Sequence, residues 1–250
     1  MADDRPRTST VSVILGTDER PQLIRWTTWW DSPGSWDSYA LMTPDGPVLV
    51  DPEGLTSDGE RRLLELTKGA TPRASVLTND MHERGAYDAR EKWGAPVWGP
   101  AYGTPERGGR MDEGTPDHLY DDGDTLPGGM RAHKLEGGAF AGDTVLIWTS
   151  PEGKRVLFTG DALNGPFHGA NPAGPHPRRG QPGLYLGAGP FYLDRATAPR
   201  LKESFTKLLS EKIDLICGSH GDPFTVDPNG ALARLLEVEW EPMFKERVHP

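Results

Sequence analysis

Three short runs of this chain gather imidazoles and carboxylates: Asn79-Asp80-Met81-His82-Glu83-Arg84, Thr159-Gly160-Asp161 and Gly218-Ser219-His220-Gly221-Asp222. Such groups can move a proton near neutral pH or hold a metal ion. The remaining histidines are read more plainly. His133 lies within a strand pattern and is structural, while His118 and His249 fall in a loop and the tail and carry no signal. His168 and His176 sit in a Gly/Pro-rich stretch, residues 162–194, that is too long for a simple connection. The single cysteine, Cys217, excludes a disulfide within the chain and a thiolate-built zinc site, and its place in Ile213-Asp214-Leu215-Ile216-Cys217 reads as strand core. No G-x-S-x-G elbow offers an activated serine, and no Lys-Ser/Thr follows Gly160-Asp161 to make a phosphate loop.

The elements that must position these runs follow from apolar pattern and turn chemistry. Strands are predicted over residues 10–15, 22–30, 38–42 and 47–50, the later ones separated by Pro33-Gly34 and Pro44-Asp45-Gly46. A helix over 57–68, capped by Ser57 or Asp58, leads to a strand at 73–78, a helix at 83–93 and a short strand at 96–98. Residues 99–129 are expected to be irregular. An antiparallel meander then runs over 130–135, 143–149 and 154–158, turning at Pro151-Glu152-Gly153. A helix at 196–210, a strand at 213–217 and a helix from about 230 to 240 close the chain. This rhythm implies sheets with helices packed outside them.

The chain has 250 residues, 35% hydrophobic, enough to bury one large α/β core. It carries 27 Lys and Arg against 37 Asp and Glu, a formal net charge of -10, which disfavours nucleic acid as a partner. The first ten residues are polar and read as a disordered lead-in without the apolar segment of a signal peptide. No apolar run approaches the roughly 18 residues needed to cross a membrane. The expectation is a soluble cytoplasmic protein, with a single domain over residues 11–250 and no membrane association.

Four segments in order resemble the metallo-β-lactamase superfamily. Asp37 to Met42 followed by Gly46 to Pro52 is similar to its opening hairpin, which ends in an aspartate. Val76-Leu77-Thr78-Asn79-Asp80-Met81-His82-Glu83-Arg84-Gly85 stands where the family places T-H-x-H-x-D-H-x-G. Leu157-Phe158-Thr159-Gly160-Asp161 resembles F-T-G-D, and Gly218-Ser219-His220-Gly221 the late G-H-G segment. The resemblance spans about residues 11 to 225. It implies a four-layer αββα sandwich and, in glyoxalase II- or lactonase-like relatives, two zinc or iron ions that generate a hydroxide and polarise the scissile group.

Carried over residue by residue, the family's ligand set is depleted here. Asn79 and Met81 replace the first two histidines, Glu83 replaces the aspartate and Arg84 the histidine after it. Residues 137–142 supply no third imidazole, while Asp161 and His220 match. The first metal position then retains one carboxylate, and the dinuclear centre is expected to be lost. Two readings remain for the second position. In the favoured one there is no metal: Arg84 pairs with Glu83 or Asp161, and a small molecule binds in a pocket with His220, Glu83 and Asp161 as catalytic groups. In the other, one zinc or iron ion is held by Glu83, Asp161 and His220, making a hydrolase of an ester, thioester or lactone. A catalytically inactive binding protein is a third possibility. His82 is read as an exposed residue of the helix's first turn, although a one-residue shift of the loop would give a His82–Asp161–His220 facial triad. The 162–194 segment is expected to cover the site as a lid, with His168 or His176 as a polar contact and Tyr185 among its apolar walls. Trp26, Trp29, Trp30 and Trp36 are expected to fill the core rather than wall the pocket.

Overall fold

The computed structural model describes residues 8–30, 34–166, 183–187 and 196–241, with the backbone alone at Thr8, Trp29, Trp30, Gly34 and Arg84. The chain opens with β1 (Thr8–Thr17), β2 (Arg20–Trp30), β3 (Gly34–Thr43) and β4 (Gly46–Val50), an antiparallel series in chain order. Residues 8–10, expected in the lead-in, therefore belong to a strand, whereas residues 1–7 lie outside the described residues.

From β4 the connections change character. Helix α1 (Ser57–Leu66) crosses to β5 (Ala74–Val76), and helix α2 (Arg84–Trp93) crosses to β6 (Val97–Pro100). β4, β5, β6 and the edge strand β7 (His118–Tyr120) run parallel, completing a seven-stranded sheet in chain order. The α1 cap is Thr56, whose hydroxyl accepts from the Gly59 amide at 3.1 Å, one or two residues before the predicted positions.

The 99–129 stretch is less irregular than predicted, since it contains β7 and β8 (Thr125–Leu126); His118 is thus a strand residue, tilted against Trp98 with ring centroids 4.4 Å apart. The second sheet adds β9 (Met130–Lys134), β10 (Thr144–Thr149) and β11 (Arg155–Gly160) as the expected antiparallel meander. Two short strands, β12 (Leu163–Asn164) and β13 (Tyr185–Leu186), pair with each other inside the segment read as irregular. The rest of that segment's centre, including His168 and His176, lies outside the described residues. Helix α3 (Ala198–Leu208) then leads to β14 (Leu215–Gly218), which pairs parallel to β11, and α4 (Pro228–Arg234) runs on through a π turn to Glu239.

Alternation along the strands makes the layers. Val48 and Val50 point between the sheets, where they meet Leu146, Phe158 and Cys217 of the second sheet. Their neighbour Leu49 points outward with Ile24 and Trp26 onto Leu63 and Leu66 of α1 and Ala89 of α2. On the other side Ile147 and Leu157 pack on Leu201 and Phe205 of α3 and on Leu235 and Trp240 near the end. The result is helix, sheet, sheet, helix. Each fully buried Leu or Phe in these layers is worth roughly 1.5–3 kcal/mol in apolar transfer. Cys217 is buried, as expected, and burial pushes its thiol up, which makes it a core residue without thiolate character.

Candidate functional site

Two pairs of parallel strands, one in each sheet, end at the same edge of the sandwich: β4 with β5, and β11 with β14. Residues just past the carboxyl ends of parallel strands are free to project into a common crevice. Asp51 follows β4, Thr78 lies two residues past β5, Asp161 follows β11, and His220 lies two past β14.

Asp51 adopts a left-handed φ of 45°, and its carboxylate is seized by the next strand end: the Thr78 amide donates to Oδ1 at 2.7 Å and the Thr78 hydroxyl to Oδ2 at 2.6 Å. Past Thr78 the chain makes a turn in which Asn79 Oδ1 accepts from the Met81 amide at 2.8 Å. That turn delivers His82 inward, ahead of α2. The exposed, helical reading of His82 is therefore corrected, since it is 1% exposed. Its Nδ1 lies 3.0 Å from Asp51 Oδ2 and its Nε2 lies 3.2 Å from Asp161 Oδ2. Asn79 Nδ2 is 3.4 Å from the same Nε2.

His220 arrives from the other side. Its amide donates to Asn164 Oδ1 at 3.0 Å, and Asn164 Nδ2 donates to the Asp161 carbonyl at 3.1 Å, which ties the two strand ends together. The ring nitrogen Nδ1 is 2.7 Å from the Ser35 carbonyl oxygen. A carbonyl only accepts, so Nδ1 carries the proton and Nε2 faces Asp161 Oδ1, 3.1 Å away. That contact is outside hydrogen-bonding geometry, so Oδ1, although buried, has no hydrogen-bond partner among the described residues. Trp36, half-buried, stands beside His220 with ring centroids 6.1 Å apart. Asp161 is the member of the cluster that reaches the surface most, its side chain 16% exposed.

The electrostatics follow from this packing. Burial alone would drive His82 neutral, but the carboxylates of Asp161 and Asp51 overrule it and hold the imidazole up to about 10. For Asp161 the order is similar: burial favours the acid form, and His82 and His220 together pull the carboxyl well below its ordinary range.

The triad that a one-residue shift would give, His82–Asp161–His220, is the one the structure brings together. Glu83 is not joined to it by any described contact. Its carboxylate accepts from the Asp112 and Glu113 amides at 2.9 and 3.2 Å and from the Tyr87 hydroxyl at 3.1 Å, pinning the loop over α2. Met81 is 42% exposed, and Asn79 is buried beside His82. The Arg84 side chain lies outside the described residues. Trp26 is core, as expected, whereas Trp36 sits at the site.

Sequence reasoning missed the scaffold of the His220 loop. Arg25 on β2 grips Asp37 on β3 through two bonds of 2.9 Å and reaches Asp222 Oδ1 at 2.9 Å and the Gly221 carbonyl at 3.1 Å. Asp37 N donates to the Ser219 carbonyl and Tyr39 Oη to the Gly218 carbonyl. A charged residue between Leu23-Ile24 and Trp26 in the middle of β2 was the available signal.

Compared with known structures, the chain is similar to the DIM-1 metallo-β-lactamase at 14% identity and TM-score 0.63, over 94% of this chain and 100% of that one. TTHA1623 in a di-iron-bound form matches at 23% identity and TM-score 0.50, over 81% and 96%. A Cronobacter sakazakii metallo-β-lactamase described by a HARLDQ motif matches at 16% identity and TM-score 0.55, over 92% and 95%. No protein-family model and no curated protein sequence matches the chain. The chain has the metallo-β-lactamase fold.

Among the described residues, the donors gathered at the edge are two imidazoles and the Asp161 carboxylate. Both imidazoles turn Nδ1 to an acceptor and Nε2 to Asp161, the arrangement by which ligating histidines are oriented, and Asp161 Oδ1 is an orphaned acceptor. As the side chains stand, no group of three or more His, Cys, Asp or Glu among the described residues is arranged to hold an ion.

Proposed function

We propose that this protein uses the edge pocket of a metallo-β-lactamase fold, without a dinuclear centre, to bind a small and partly apolar molecule and to carry out acid/base chemistry on it. The observation that carries this reading is His82 held between Asp51 and Asp161, whose two carboxylates favour the charged imidazole where a cation would otherwise be required. In this account His82 keeps Asp161 ionised. His220, its Nδ1 proton fixed on the Ser35 carbonyl, turns Nε2 to Asp161 Oδ1 at 3.1 Å, so that the two share the proton taken from the substrate and returned to it. Trp36 supplies an apolar wall.

A second reading, a hydrolase of an ester, thioester or lactone with one ion, is favoured by the two Nε2 atoms that flank the Asp161 carboxylate, that of His82 at Oδ2 and that of His220 at Oδ1. His82, Asp161 and His220 would hold the zinc or iron, which would supply Lewis acidity and an activated water. The HARLDQ neighbour, whose motif differs from H-x-H-x-D-H at two positions, supports the idea that this fold tolerates departures there.

A screen of ester, thioester and lactone substrates, run before and after chelation, tests both. Turnover that survives chelation and disappears in His220→Ala supports the metal-independent reading. Turnover lost on chelation and restored by about one equivalent of zinc or iron supports the second. Turnover untouched by both His220→Ala and Asp161→Asn would end the proposal.

A further inference from the structure

The carboxylates on either side of Met81-His82 hold one loop between them. Asp80 Oδ2 accepts from the Arg110 amide at 2.7 Å, and Glu83 Oε2 accepts from the Asp112 and Glu113 amides at 2.9 and 3.2 Å. Asp80 and Glu83 are buried, so the backbone of residues 110–113 is laced to the turn that presents His82. The Arg110 side chain takes no part in this lacing. It is exposed, and among the described residues its guanidinium forms no hydrogen bond and no ion pair, with neither Asp112 nor Glu113 reaching it. What it meets is an aromatic face, since its Cζ lies 6.0 Å from the centre of the Phe140 ring.

Phe140 is tied to both halves of the site. Two residues on, a Cβ at Gly142 would lie 3.3 Å from the Asp80 amide nitrogen, and Thr144 N donates to the Thr78 carbonyl at 2.9 Å. Phe140 also packs against the apolar cluster that contains Ala162, the residue after Asp161. A guanidinium fixed at its backbone and stacked on that ring is therefore held beside the turn that carries His82, next to the 42% exposed Met81.

The unengaged donors define what they can recognise. A guanidinium presents paired N–H groups in the plane and at the spacing of a carboxylate. The amides of residues 110, 112 and 113, which could have widened the donor set, are already given to Asp80 and Glu83. One positive charge without supporting amides matches a monoanion better than a phosphate dianion. We propose that Arg110 sets specificity at this edge, and that the molecule bound there is an ionised carboxylic acid whose apolar part lies against Phe140 and Met81. This rests on the proposed function only in that the edge binds a small, partly apolar molecule.

Calorimetric titration of the full chain with 3-phenylpropanoate, 3-phenylpropanamide and 2-phenylethyl phosphate tests the inference. The expected result is that the carboxylate binds best, at one site per chain. Arg110→Gln should weaken the carboxylate by roughly threefold to tenfold and leave the neutral amide unchanged, which a merely structural role for Arg110 would not do. Arg110→Lys, which keeps the charge but not the fork, should fall between wild type and Arg110→Gln. Equal binding of carboxylate and amide overturns the proposal, and so does a preference for the phosphate. Silence of the carboxylate at about 10 mM, or equal weakening of carboxylate and amide in Arg110→Gln, overturns it as well. Carboxylate binding that depends on Arg110 stands even if no substrate is turned over, whereas turnover that depends on His220 without any carboxylate preference sinks this inference alone.

Discussion

An imidazole with a carboxylate at each ring nitrogen is stable only while it carries its second proton or a metal takes that proton's place. His82 is in that position, fully enclosed between Asp51 and Asp161. His82→Gln should therefore cost roughly 3–5 kcal/mol in urea unfolding of chelated protein, because two carboxylates lose their shared cation; an unchanged midpoint would refute the pairing. The pH dependence has a fixed sign. His82 is raised from an ordinary 6.5 to about 10 in the folded chain, so its contribution is complete below about pH 6.5 and is lost as pH rises through about 10. Asp161, held low, contributes above the ordinary carboxylate range and loses that contribution as pH falls through its depressed value. In chelated protein the wild-type urea midpoint should fall more steeply from about pH 7 to 10 than that of His82→Gln; parallel curves would contradict the account. At this scale the sequence displayed the histidine but concealed its direction. Motif order aligned Glu83 with a ligand position, whereas the Asn79–Met81 turn rotates His82 inward and the amides of Asp112 and Glu113 claim Glu83. Those partners are distant in sequence, so no local pattern announces them.

At the scale of elements, the site depends on how strand ends are held. Arg25 on β2 binds Asp37 on β3 and the Gly221–Asp222 stretch after β14, and thereby fixes the loop that carries His220. Asp37 is buried, and burial pushes its carboxyl up despite Arg25, so removal of the guanidinium leaves an unfavourable group inside the edge. Arg25→Ala should lose roughly 3–5 kcal/mol, and Arg25→Lys should retain less than full stability because the two-pronged contact is gone. Denaturation curves that superimpose on wild type would show that the clamp is idle. Gly160 is a second control point. It has a φ of 51°, and a Cβ there would lie 2.3 Å from Thr78 Oγ1, the hydroxyl that binds Asp51. Gly160→Ala should destabilise the fold by about 1–3 kcal/mol, read from its thermal midpoint; a neutral result would mean that the Thr78–Asp51 contact yields freely. The elements themselves were largely legible, because two-residue alternation and turn residues mark β2 to β4 and the β9–β11 meander. The strands β7, β8, β12 and β13 were not, since strands of two or three residues between glycines and prolines carry too short a period to read.

At the scale of the whole molecule, the four motif segments in order were sufficient to anticipate the αββα sandwich, and the likeness to solved structures supports the same fold. Fold does not fix chemistry, and here the departures lie at the edge where two parallel strand pairs end. The central claim is that this edge is organised by His82, Asp161 and His220 around a single positive centre, not around two metal ions. The most direct test is the zinc and iron content of the full chain, purified without added metal or chelator and again after dialysis against excess zinc. The account predicts no more than about one equivalent of metal per chain under either condition; about two equivalents, retained after removal of free metal, would contradict it.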